Sequence, residues 1–71
     1  MKINRLKIVL AEKNKTNKWL AENLSKSEVT ISRWVTNDVQ PSMETFLEIA
    51  SLLDIDIKDL FHSSKLKKNE I

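Results

Sequence analysis

Ser27-Glu28-Val29-Thr30-Ile31-Ser32-Arg33-Trp34 carries one apolar and one polar stripe at helical spacing. Ile31, Trp34 and Val35 fall on one side, and Glu28, Val29, Ser32, Arg33 and Thr36 on the other. The pattern predicts a helix over about 28–36, with Ser27 as its N-cap and the apolar stripe turned inward. Immediately upstream, Trp19-Leu20-Ala21-Glu22-Asn23-Leu24 is a second short amphipathic segment, separated from the first only by Ser25 and Lys26. Two short helices joined by so tight a turn predict a helix-turn-helix unit, an arrangement whose second helix can enter a DNA major groove.

Working outward, a first helix is expected from Ile3 to Lys13, with Ile3, Leu6, Val9 and Leu10 inward and Lys2, Arg5, Lys7 and Glu12 outward. Asn14-Lys15 ends it, and Thr16 is placed to cap the helix that buries Trp19, Leu20 and Leu24. Asn37-Asp38-Val39-Gln40-Pro41 reads as a loop, because Asn and Asp favour turns and proline biases Gln40 away from helical torsions. Ser42 caps a fourth helix with Glu44 in its first turn and Phe46, Ile49, Ala50 and Leu53 as its inward stripe. Asp56 caps a last short helix through Leu60 or Phe61. The expectation is an all-α domain over residues 1–61, followed by a Lys-rich polar tail, 62–71, that frays. The chain contains no glycine, so left-handed turn positions must be taken by Asn14, Asn37, Asp54 or, less comfortably, Ser25.

With 71 residues there is a single domain and no space for a separate catalytic one. Cysteine is absent, which removes disulfides and thiolate metal sites. No apolar run approaches a membrane span and no signal peptide opens the chain, so a cytoplasmic location is expected. The net charge of +2 is small, but residues 1–40 hold eight basic and four acidic side chains, whereas residues 41–61 hold one basic and five acidic. One end of the molecule therefore suits a polyanion and the other does not.

Thr16-Asn17-Lys18-Trp19-Leu20-Ala21, then the 27–34 stretch, Pro41-Ser42 and Ile49-Ala50, together resemble the Cro and phage-repressor family of regulators, also called the xenobiotic-response-element family. The resemblance covers residues 3–61. It implies a compact five-helix bundle, regulation of transcription, and two-fold dimers on palindromic operators. Asn17 stands where the family has Gln, Ser25 where it has Gly, and Lys15 and Lys26 where it has apolar residues, whose stems can lie on the core. Leu10 and Val35 match an Arg and a Glu that form an ion pair in many family repressors. The expectation here is packing in place of that pair.

On the outward face, Arg33 is the candidate for a guanine contact, since its fork can donate to both O6 and N7, or it is a surface or phosphate-bound arginine. Glu28 can accept from a cytosine amino group, or simply answer the helix N-terminus. Val29 can meet a thymine methyl, or pack on the preceding helix or stay exposed. Ser32 and Thr36 are small hydrogen-bonding groups able to approach bases or phosphates. Asn17, Lys18, Lys26, Ser27, Asn37 and Gln40, with the backbone N–H groups that open the second helix, are candidates for phosphate contacts. Trp19 and Trp34 are assigned to the core rather than to base stacking. His62 is the single histidine, so no metal site or other cofactor is expected, and no spacing suggests a catalytic triad, a phosphate loop or any enzyme. Nor is a small-molecule site evident.

Two functions follow. One is sequence-specific binding of double-stranded DNA to regulate transcription, with a homodimer on a palindromic operator. The other is a protein-interaction module, such as an antitoxin, built on the same bundle. Ile55, Ile57, Leu60 and Phe61 are candidates for a dimer interface, or for closure of the domain's own core.

Overall fold

The computed structural model describes residues 2–62, and within them four α-helices and a terminal 3₁₀ turn follow one another. The helices are α1 (Leu6–Glu12), α2 (Asn17–Leu24), α3 (Glu28–Val35) and α4 (Met43–Leu53), and the turn is Ile57–Leu60. The fifth helix of the expected bundle is thus a 3₁₀ turn rather than an α-helix. Its four residues between Asp56 and Phe61 allow a single tight turn and no more. Residues 63–71 of the expected tail lie outside the described residues.

Side-chain caps set the starts of the elements. Thr16 Oγ1 accepts from the Trp19 N–H at 3.0 Å, Ser27 Oγ from Thr30 at 3.1 Å, Ser42 Oγ from Thr45 at 3.2 Å, and Asp56 Oδ1 from Lys58 at 3.1 Å. Each satisfies an N–H that the helix itself leaves unpaired. The ends share one device as well. Asn14, Ser25, Asn37 and Asp54 are the four non-glycine residues with positive φ among the described residues, and each follows one α-helix. The next N–H then turns back to a carbonyl five residues earlier: Lys15 to Leu10 at 2.8 Å, Lys26 to Ala21 at 2.9 Å, Asp38 to Arg33 at 2.9 Å and Ile55 to Ala50 at 3.0 Å. These are Schellman closures made without glycine.

The core gathers Leu6, Val9 and Leu10 from α1, Leu20 and Ala21 from α2, Ile31 and Trp34 from α3, Phe46, Ile49, Ala50 and Leu53 from α4, and Leu60 from the final turn. Leu60 is fully buried, and the Phe61 ring tilts against Phe46 with centroids 4.7 Å apart. Ile55 and Ile57 are half-buried against the same core. Of the two roles expected for these residues, Leu60 takes closure of the domain's own core, and Phe61 packs against that core while staying half-buried. Leu10 is buried in the cluster and Val35 is half-buried against it.

The two ends of the described residues are tied together. Asn4 and Phe61 form an isolated antiparallel bridge, with the Arg5 N–H donating to the Leu60 carbonyl at 2.8 Å and the His62 N–H to the Ile3 carbonyl at 3.2 Å. This pairing engages the backbone of residues 3–5, so α1 starts at Leu6, and Ile3, expected inward, is 44% exposed. Asn4 takes the inward place instead.

Candidate nucleic-acid interface

The frame of the candidate interface is α2 packed on α3 across Ser25-Lys26-Ser27. Ser25 adopts φ 56° and ψ 44°, which reverses the chain within three residues. On α3, Ile31 is fully buried and Trp34 nearly so, and these two side chains fix the helix's rotation about its axis. The opposite side consists of Glu28, Val29, Ser32, Arg33 and Thr36, all exposed, with Val29 at 65%. Thr36 turns its hydroxyl back to donate to the Ser32 and Arg33 carbonyls, at 3.0 and 3.2 Å. Its methyl and oxygen lone pairs remain available outward.

Lys18 and Lys26 are exposed and Asn17 is half-exposed, at the start of α2 and in the turn. Ser27 is exposed too, although its hydroxyl already accepts from the Thr30 N–H and shares a 3.0 Å bond with the Thr30 hydroxyl. The N–H groups of Asn17 and Lys18 open α2, where the helix dipole is positive and an anion is favoured.

Asn37 and Gln40 have another task. Asn37 Oδ1 accepts from the Ile3 and Asn4 N–H groups, both at 2.8 Å, and from Gln40 Nε2 at 3.0 Å, while its Nδ2 donates to the Asn4 carbonyl at 3.1 Å. Gln40 Oε1 accepts from Asn4 Nδ2 at 2.7 Å. Both amides thus serve a buried partner, while each NH2 group donates only one of these bonds and keeps a second N–H.

That partner, Asn4, is 2% exposed and is the functional residue that sequence reasoning missed. Its Nδ2 also donates to the Trp34 carbonyl at 3.0 Å, and its Oδ1 accepts from the Leu6 N–H at 3.0 Å. One side chain therefore caps α1 and anchors the last turn of α3. A lone asparagine in a polar N-terminal stretch has no periodicity to mark it as buried.

Trp34 joins the core as expected, whereas Trp19 is only half-buried. The Lys15 ammonium lies 4.8 Å from the centroid of the Trp19 ring, a cation–π contact rather than a stem laid on the core. His62 is exposed, and no cluster of three or more metal-ligating side chains occurs among the described residues. No helix among them is long and apolar enough to cross a membrane.

A family model described as helix-turn-helix matches residues 6–60, which spans α1 to the final turn. The chain is also similar to a solved structure described as "a putative DNA-binding protein from Bacteroides fragilis". The two share 52% identity over 87% of this chain and 100% of the other, with a TM-score of 0.84. No functionally curated protein matches.

Proposed function

This chain belongs to the Cro and phage-repressor family of helix-turn-helix proteins, and on that premise we propose that it binds double-stranded DNA sequence-specifically and regulates transcription. The observation that carries the reading is the two-sided character of α3. Ile31 and Trp34 hold it rigidly from behind, and five exposed side chains of mixed chemistry face outward. A helix presented in this way fits the width of the major groove.

In this reading Arg33 donates to guanine O6 and N7, Glu28 accepts from a cytosine amino group, Val29 meets a thymine methyl, and Ser32 and Thr36 make short polar contacts. Asn17, Lys18, Lys26 and Ser27, with the first N–H groups of α2, hold the phosphates and set the register. One α3 spans only a short half-site, so two copies on a palindrome, about 34 Å apart along one DNA face, complete the operator. The dimer model rests on this half-site argument and not on Leu60 or Phe61.

Selection of bound sequences from random duplex DNA at two salt concentrations tests the reading. Enrichment of a palindromic motif, with binding that weakens steeply as salt rises, is the expected result. The exposed Val29 favours a second reading, a protein-interaction module on the same bundle. It predicts no enriched motif and a partner whose binding is indifferent to salt.

A further inference from the structure

We infer that a basic cleft between the N-terminal segment and the end of α3 is a second holding point for DNA backbone phosphate, reached from α1 rather than from α2. The inference rests on the DNA-binding reading above. The cleft has a volume of about 80 Å³ and is lined by Lys2, Arg5, Lys7 and His62 together with Val35 and Asn37. No carboxylate occurs among the described residues that line it. Its chemistry is that of a site for an oxyanion.

Its location matters as much as its charge. Val35 and Asn37, the neighbours of Thr36 in the chain, both line the cleft, which places it at the C-terminal end of α3. A helix in a major groove lies between two phosphate backbones, and contacts to both fix its register. The α2 side supplies Asn17, Lys18, Lys26 and Ser27 for one of them. For the other, the loop after α3 brings Asp38 and no cation, and the Asn37 and Gln40 amides are engaged with Asn4. Lys2 and Lys7 are exposed cations on that flank. Arg5 is held in place by a 3.1 Å bond from Nη1 to the Asp59 carbonyl, and the His62 N–H is tied to the Ile3 carbonyl. The fold thus places the rim of the cleft, and among the described residues the two exposed lysine ammonium groups have no carboxylate beside them in its lining.

The test compares the full chain with a Lys2→Ala/Lys7→Ala double variant and with Lys58→Ala, a cation on the final turn. Binding to the duplex enriched by selection, and to a random duplex, is followed by fluorescence anisotropy over a range of salt. In the double variant the slope of log K against log salt should fall by about 2. Affinity for enriched and random duplexes should fall by the same factor, and Lys58→Ala should match the parent. Thermal melts confirm that the exposed substitutions leave the fold intact. If the parent binds and the double variant keeps its slope, the cleft is not a phosphate site while the DNA-binding reading stands. An equal loss with Lys58→Ala, or a changed base preference, also overturns the inference. A parent that binds no duplex overturns both.

Discussion

Replacing Asn4 by Ala should be among the most damaging single changes this domain can suffer, although the side chain is small and lies outside every helix. It removes three side-chain hydrogen bonds: Nδ2 to the Trp34 carbonyl at 3.0 Å, Nδ2 to Gln40 Oε1 at 2.7 Å, and the Leu6 N–H to Oδ1 at 3.0 Å. At about 1 kcal/mol each these come to about 3 kcal/mol, and leaving the buried Leu6 N–H without a partner adds about 1–2 kcal/mol, whereas the Trp34 carbonyl still accepts from the Asn37 N–H. A domain of this size holds only about 3–9 kcal/mol in total. The variant should therefore be largely unfolded or close to it. Urea denaturation followed by tryptophan fluorescence at low temperature measures the change, against Asn4→Asp as a comparator. Aspartate keeps the acceptor for Leu6 but sets a carboxylate against two oxygens, so it should be at least as unstable as alanine. A loss below about 1 kcal/mol for alanine, or near-native stability for aspartate, would refute the claim that this residue ties α1 to α3.

Two of the left-handed residues should respond in opposite ways. Ser25→Gly relieves a positive φ at a position where nothing on the side chain is needed, and should gain about 0.5 kcal/mol, a rise of a few degrees in melting temperature. Asn37→Gly relieves the same strain but discards an oxygen that accepts three hydrogen bonds, and should lose about 2 kcal/mol in calorimetry. Leu60→Ala, which empties a fully buried place in the core, should lose about 3 kcal/mol. If it instead weakened only self-association, measured by light scattering, Leu60 would be an interface residue after all.

Much of this fold was legible because its signals are local. The Ser and Thr caps at 16, 27 and 42 are short-range chemistry, and the Phe46, Ile49, Ala50, Leu53 stripe has an unambiguous period. The lack of glycine pointed to Asn14, Ser25, Asn37 and Asp54 before any torsion was in view, and all four adopt positive φ. What escaped the sequence is what depends on distant pairing. Residues 3–5 bridge to 60–62, which shortens α1, exposes Ile3 and buries Asn4, and no window of sequence contains both partners. The same closure engages the amides of Asn37 and Gln40. The outward face of α3 was legible as a pattern. Which DNA it prefers is a property of the complex that one chain's periodicity does not encode.

The central claim is that α3 reads base edges through its outward side chains, and Arg33→Ala against the selected operator tests it most directly. In anisotropy titrations at moderate salt, the account predicts a loss of about 1–3 kcal/mol in affinity for the operator and relaxed preference at one G·C pair, with little change on random duplex beyond that of one lost charge. An equal loss on every sequence, with the preference at each base pair intact, would contradict it.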